Sequence, residues 1–340
     1  MYSTWGMASC PRRRPSTSPS WPGFSLSRLD RMRRAVVLMN LGGPDSPAAV
    51  RPFLYNLFSD PAIITLPGLL RNPLAWLIAR RRSEVAGEIY AHLGGASPLL
   101  ANTRAQAVAL ENTLGDGTKC FIAMRYWHPL TEETVAAVKA WDPDETVCLP
   151  LYPQYSTTTT GSSLTAWRAE ARRQALDCPM RAVESYPTAA GMVSAMAGAI
   201  DEVLATVGKI RLLLSAHGLP LKTVRAGDPY PEQIGRTAEA VVAALDRPGV
   251  DWRVCYQSRV GPLAWLGPSI DVEIRRAGAE GVPVVVAPIS FVSEHSETLV
   301  ELDRDYRRLA ESCGVPAYHR VRTVGADPRF IAALAELVTG

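Results

Sequence analysis

A histidine set between an aliphatic run and a Gly-Leu-Pro turn, and three closely spaced glutamates some eighty residues later, are the groups best suited to chemistry in this sequence. His217 follows Ile210–Ser215 and precedes Gly218-Leu219-Pro220, so it stands where a buried strand gives way to a loop. There an imidazole with a pKa of about 6.5 can take a proton or bind a metal. A loop histidine satisfied by ordinary hydrogen bonds fits the same position. The second group lies in Ser293–Asp303, just after the apolar run Pro283–Ile289. A helix starting near Ser293 or Ser296 would put Glu294, Glu297 and Glu301 at i, i+3 and i+7 on one face, with His295 beside them. Aligned carboxylates repel one another unless water or a cation lies between them. A solvated acidic face and a path for a divalent cation both fit.

Two further strings suit a ligand. Leu151-Tyr152-Pro153-Gln154-Tyr155-Ser156, followed by Thr157–Thr160 and Gly161-Ser162-Ser163, is a hydroxyl-rich loop entering a helix, suited to an anion or to a plain N-cap. Tyr256–Pro268 contains Gly261-Pro262 and Trp265-Leu266-Gly267-Pro268, too apolar for a simple surface loop. Trp265 there makes a rigid wall for a flat aromatic ligand or a capped core residue.

The elements that must hold these groups alternate short β-rich runs with helical windows, which is the pattern of parallel α/β domains. Strands are expected at Ala35–Met39, Cys120–Met124 and Thr146–Leu151, then at Ile210–Ser215, Trp252–Tyr256, Pro283–Ile289 and near Ala317–Arg322. Helices are expected over Thr131–Ala140, Ala190–Ala205, Arg236–Leu245 and Pro328–Leu337. The halves echo each other: Val37–Pro44 and Leu213–Pro220 are each a strand running into a Gly/Pro turn. Ligands bind at the carboxyl ends of parallel strands, so two related lobes would turn both loop sets toward one cleft. The first half is longer between Arg51 and Gly95, as if an element were inserted over that cleft.

Composition narrows the classes. Lys plus Arg, 36, against Asp plus Glu, 33, leaves too small an excess for a nucleic-acid partner. The six cysteines form no C-x-x-C pair and several lie in apolar runs, which suits a reducing compartment, the cytoplasm. The apolar stretch 61–79 is broken by Pro67, Arg71 and Pro73, against the roughly 20 apolar residues a span needs, and contact with a membrane surface is the most it would make. Residues 1–34, rich in Arg, Ser and Pro, read as a disordered tail, with a targeting peptide or an over-extended start as alternatives.

Five strings together resemble the ferrochelatase family, whose members insert iron into porphyrin. They are Ser215-Ala216-His217-Gly218-Leu219-Pro220, Gly227-Asp228-Pro229-Tyr230, Tyr256-Gln257-Ser258-Arg259 with the Gly-Pro and Trp-Leu-Gly-Pro that follow, Glu294-His295-Ser296-Glu297-Thr298-Leu299, and Tyr152-Pro153-Gln154-Tyr155-Ser156. Asn40-Leu41-Gly42-Gly43-Pro44, Gly94–Leu99 and Met124-Arg125-Tyr126 also fit, so the likeness runs from about Val36 to the C-terminus. It implies an α/β fold of two Rossmann-like lobes with a cleft between them: 35–185 with a lip insertion at about 51–95, then 186–325, and a helix in 326–340 returning to the first lobe. It implies His217 and Glu297 as the catalytic and metal-handling pair. Glu294, His295 and Glu301 fall on an acidic metal path where the helix is locally widened. Leu41, Arg125, Tyr126, Tyr152, Ser156 and Trp265 line the porphyrin.

The same resemblance makes Fe²⁺ the metal substrate and protoporphyrin IX the expected ring, with coproporphyrin III as the alternative. The 51–82 lip, with Arg80, Arg81 and Arg82, is the segment expected to touch a membrane. Many relatives carry a [2Fe–2S] cluster on a cysteine of the Tyr-Ser loop and three more near the C-terminus. This loop reads Ser156-Thr157-Thr158-Thr159-Thr160 and no cysteine follows Cys313, so no cluster is expected. A cobalt chelatase of the same fold and a non-catalytic tetrapyrrole carrier remain alternatives. A nicotinamide dehydrogenase is disfavoured because Asn40–Pro44 is not G-x-G-x-x-G.

Overall fold

The computed structural model describes residues 32–340. The expected tail therefore lies outside the described residues apart from Met32, Arg33 and Arg34, the last of which already begins a strand.

Eight strands form two sheets among these residues. The first holds β1 (Arg34–Asn40), β2 (Thr118–Met124), β3 (Glu145–Pro150) and β4 (Met180–Ala182), and the second holds β5 (Arg211–His217), β6 (Asp251–Gln257), β7 (Val284–Pro288) and β8 (Tyr318–Arg320). Their orders, β2-β1-β3-β4 and β6-β5-β7-β8, are the same arrangement twice, and every pairing is parallel. The expected echo between the halves is thus a repeated topology. β4 was not legible because three residues with a central arginine carry too little apolar pattern.

The central strands are apolar at every position because both faces are covered. On β1, Val36 and Leu38 point to one side, while Ala35, Val37 and Met39 point to the other, where they meet Val135, Val138, Leu164 and Trp167. These come from α4 (Thr131–Trp141) and α5 (Ser162–Arg173). Val36 and Leu38 join a core that includes Leu212 and Leu214 of β5 and Val285 of β7. That core is filled by α3 (Leu99–Leu114), α6 (Ala190–Leu204), α8 (Tyr230–Ala244) and α11 (Pro328–Thr339). α8 begins six residues before the expected Arg236, since Pro231 in its first turn starts a helix rather than breaking one. α11 packs on α3 and α6, and Arg181 of β4 donates to the carbonyls of Leu337 and Val338 at its end.

Register brings the carboxyl ends level. Asn40 pairs with Met124 and Met39 with Pro150; His217 pairs with Gln257 and Ser215 with Pro288. Between β1 and α3 the chain inserts α1 (Val50–Phe58) and α2 (Gly68–Ala91), which pack on each other. The start of α2 presents Leu69, 92% exposed, and Leu70, 63% exposed, to solvent. No described helix is long and apolar enough to cross a membrane.

Candidate active site

His217 is the last residue of β5, and its backbone N–H donates to Ser290 Oγ (3.1 Å), which fixes the strand end against the loop after β7. That loop leads into a π-helix, Glu297–Tyr306, whose wider i→i+5 turns are found mostly at functional sites. Its first residue meets the imidazole: Glu297 Oε2 lies 2.8 Å from His217 Nδ1. His295, nearly buried, places Nε2 3.8 Å from the same oxygen and holds its Nδ1 3.0 Å from the Ser293 carbonyl. The Phe291 ring makes an edge contact with each of the two imidazoles.

One turn on, Glu301 is gripped by four donors. Gln257 Nε2 (3.1 Å) and Ser258 Oγ (2.5 Å) reach Oε2, while the Ser258 N–H (2.9 Å) and Tyr306 Oη (3.2 Å) reach Oε1. Ser258 Oγ also lies 3.3 Å from Glu297 Oε2, bridging the two carboxylates. Its φ of +63° is a strained conformation for a serine, as found where a site over-determines the backbone. Gln257, wholly buried, accepts from Ser215 Oγ (2.8 Å) and donates to the Glu297 carbonyl (3.0 Å). Gln257 and Ser258 belong to the Tyr256–Arg259 string, and their hydrogen bonds hold Glu297 and Glu301 in place.

Burial pulls the His217 pKa down, but the charge and hydrogen bond of Glu297, with the charge of Glu301, more than reverse this, so it lies above 6.5. Glu297 is destabilised as an anion by burial, yet the two histidines hold it well below 4.5. Glu301 is raised by burial and by the Glu297 charge, against the donors from Ser258 and Gln257. The site therefore holds an imidazolium-prone base, a firm carboxylate and a carboxylate that keeps its proton more readily.

Glu294 corrects the expected three-acid face. The helix starts at Ser296, so Glu294 lies in the loop before it and takes bonds from Arg320 Nη1 (2.8 and 3.0 Å) and the Thr323 N–H (2.9 Å). The same arginine holds Asp303 through Nε at 2.8 Å. Glu294 is thus a neutralised anchor. From the first half of the chain, Asn102 Nδ2 reaches the Glu294 carbonyl (2.9 Å) and Gln106 Nε2 the Val292 carbonyl (3.0 Å), clamping this loop onto α3.

The residues expected around the ring divide. Trp265 pairs by a β-bridge with Pro220, which puts its indole over the turn that follows His217. Leu41 follows β1, and its carbonyl receives the Tyr126 N–H (3.0 Å). Arg125 is partly exposed at the end of β2, with Tyr152 close enough to feel its charge. Tyr126 is only 1% exposed and donates its hydroxyl to Asp60 (2.8 Å), so it is turned inward, away from solvent. Ser156 is likewise 1% exposed. It caps a second short π-turn, Thr157–Gly161, through the Thr158 N–H and donates to Asp228 Oδ2 (3.0 Å), so the hydroxyl expected for a ligand closes a helix instead. Asp228 also takes the Thr157 N–H and Oγ1, both at 2.8 Å, tying the two halves together.

Asp60 was not foreseen. It is an isolated acid two residues beyond α1, and only folding brings it to Tyr126 and Ser162. Tyr90, at the far end of α2, reaches toward Ser296, and burial together with the Glu297 charge pushes its phenol up to about 12.

The ferrochelatase family model matches residues 33–340. A ferrochelatase of Caulobacter vibrioides is 56% identical over 312 residues, covering 89% of each chain. One from a Wolbachia of Drosophila simulans is 48% identical over 313 residues, covering 90% of this chain and 98% of its own. Among solved structures, SirB from Bacillus subtilis with Fe³⁺ superposes with a TM-score of 0.53 at 12% identity, covering 91% of this chain and 95% of that one, a likeness of fold.

Proposed function

This chain belongs to the ferrochelatase family, an enzyme of haem biosynthesis that inserts iron into a porphyrin, and from that premise we propose that its ring is protoporphyrin IX, metallated over His217 and Glu297. The observation that carries the reading is the 2.8 Å contact between His217 Nδ1 and Glu297 Oε2.

Metal insertion must remove two pyrrole protons while Fe²⁺ sheds water. With Nδ1 held by Glu297, Nε2 is the nitrogen left to accept a pyrrole proton, and the carboxylate stabilises the imidazolium that forms. The raised basicity of His217 favours this role over metal ligation, which needs the neutral ring. Glu297, Glu301 and His295 line the approach, where carboxylate oxygens suit a hydrated divalent ion. Trp265 and the Gly218–Pro220 turn give the flat wall against which a puckered macrocycle is held, and favouring that distorted ring lowers the barrier. Arg125, Leu41 and Tyr152 complete the pocket.

The exposed leucines of α2 give the lip an apolar edge that suits vinyl groups and the surface of a bilayer. Trp76 there lies under both Arg51 and Arg80, at 5.3 and 5.5 Å, a pairing suited to anionic head groups. The cysteine pattern supports a chain that works without a [2Fe–2S] cluster.

The test is insertion followed by loss of porphyrin fluorescence, with protoporphyrin IX and coproporphyrin III compared side by side in detergent, and Fe²⁺ compared with Co²⁺. A higher kcat/KM for protoporphyrin IX with Fe²⁺ is expected. Equal or better use of coproporphyrin III would overturn the ring assignment, and binding without turnover would mark a carrier.

A further inference from the structure

A free guanidinium at the end of β2 would draw a substrate carboxylate into the inner part of the pocket. Arg125 is not free. Its Nη2 lies 2.8 Å from Asp60 Oδ2, and its Nε donates to Ser162 Oγ at 2.7 Å. The same Asp60 oxygen also receives Tyr126 Oη (2.8 Å) and Ser162 Oγ (2.5 Å), while Oδ1 receives the Ala62 N–H (2.8 Å). The Asp60 side chain is 2% exposed and that of Arg125 23%, so the acid sits behind the base and cancels its charge from within. Ionisation of Asp60 is secure: burial opposes it, but Ser162, Ala62, Arg125 and Tyr126 together bring its pKa below 3.8.

A ring with four propionates must place carboxylates around more of its edge than a ring with two, and the replaced pair are apolar vinyls. A propionate set beside a cation that already holds a buried carboxylate loses its water without gaining an uncompensated partner. We propose that Asp60 is a specificity-determining residue: by neutralising Arg125 it makes this part of the pocket accept an apolar ring edge and disfavour a carboxylate. The inference rests on the reading of Arg125 as a pocket residue and deepens the assignment of protoporphyrin IX. Asp60 acts through Arg125 and touches no reacting atom. It also explains why the lip insertion carries a buried acid at the end of its first helix.

Asp60→Asn keeps the shape and releases the charge of Arg125. The ratio of kcat/KM for coproporphyrin III over protoporphyrin IX should rise at least about fivefold, in the range of one hydrogen bond to a charged group, through a lower KM for coproporphyrin III. An unchanged ratio overturns the proposal. The double variant Asp60→Asn/Arg125→Gln removes both charges, an exchange that buried pairs tolerate better than the loss of one partner, and should return the ratio to the wild-type value. A ratio that stays high in the double variant also overturns it. If Asp60→Asn does not fold, Asp60→Ser, which also removes the charge and keeps an acceptor for the Tyr126 hydroxyl, reads the same ratio with the same expected and overturning results. In Asp60→Asn the gain should be confined to free-acid coproporphyrin III and absent with its methyl ester; an equal gain on both overturns the proposal, and so does a loss on free acids alone in Arg125→Gln, which would show that Arg125 already binds a propionate. A wild-type preference for coproporphyrin III would sink the ring assignment, while the ratio shift in Asp60→Asn would still decide the role of Asp60.

Discussion

Nδ1 of His217 and Oε2 of Glu297 lie 2.8 Å apart, one at the end of a strand and the other on the first turn of a π-helix eighty residues later. Each controls the other: the carboxylate raises the basicity of the imidazole, and the imidazolium keeps the carboxylate ionised. Ser258 then links this pair to Glu301, whose higher pKa makes it the place where a proton is most easily held. In the proposed mechanism the base that accepts a proton is thus connected by short contacts to an acid able to carry one away.

Glu297→Gln tests this coupling. With that charge gone, burial is opposed only by the Glu301 charge and the His217 pKa falls, so the acid limb of the kcat/KM profile should move to lower pH while the plateau drops at least about tenfold. The stability signs run opposite ways. The raised His217 contributes stability fully below 6.5 that is lost as pH rises through its folded value; the depressed Glu297 contributes above 4.5 and loses it as pH falls through its own. An acid limb that stays in place would show that His217 does not set it.

Replacing His217 by Ala should lower insertion by about 10²-fold or more, the usual scale for a lost general base. The fold should survive, because the strand end is anchored by the backbone bond to Ser290 and not by the ring. Near-wild-type turnover, with far-UV circular dichroism unchanged, would remove His217 from the mechanism.

Glu294→Gln separates an anchor from a metal path. The change takes a charge from the Arg320 pair, so stability should fall by about 2 kcal/mol, the scale of hydrogen bonds to a charged group, with kcat/KM within about threefold of wild type. Burial raises the Glu294 pKa, but Thr298, Arg320 and Thr323 lower it further, so its contribution is present above 4.5 and lost as pH falls through the folded value. The variant should therefore resemble wild type more closely in acid. A large rise in the KM for Fe²⁺ without loss of stability would return Glu294 to the path.

The central strands and His217 were legible because a strand covered on both faces needs an unbroken apolar run, and such a run marks where the next polar residue must emerge. Glu297 and Glu301 were legible as a helical pair. Glu294 was not placed correctly, since the spacing i, i+3, i+7 shows a face only if one helix contains all three, and the chain enters its π-helix at Glu297, three residues later than Glu294. Ser156 and Tyr126 are expected to face a ligand, but hydrogen bonding to Asp228 and Asp60 turns both inward. Asp60 left no local signal: its partners Tyr126 and Ser162 stand 66 and 102 residues away, and only the folded insertion makes one site of them.

Leu69 and Leu70 project from the start of α2 beyond any packing role, with Leu74 and Trp76 a turn or two further on. Burying two leucine side chains in a bilayer contributes roughly 3–5 kcal/mol by the usual scale for apolar area, and the arginines around Trp76 add attraction to anionic lipid. Leu69→Asp/Leu70→Asp should therefore abolish sedimentation with vesicles containing phosphatidylglycerol and leave the melting temperature unchanged, since neither side chain is packed. Insertion should slow when protoporphyrin IX is supplied in those vesicles, because the ring must then be collected from the bilayer. With ring dissolved in detergent that step is absent and the rate should match wild type. A loss of activity in detergent as large as in vesicles would place the two leucines in the pocket itself, and undiminished vesicle binding would show that another surface meets the membrane.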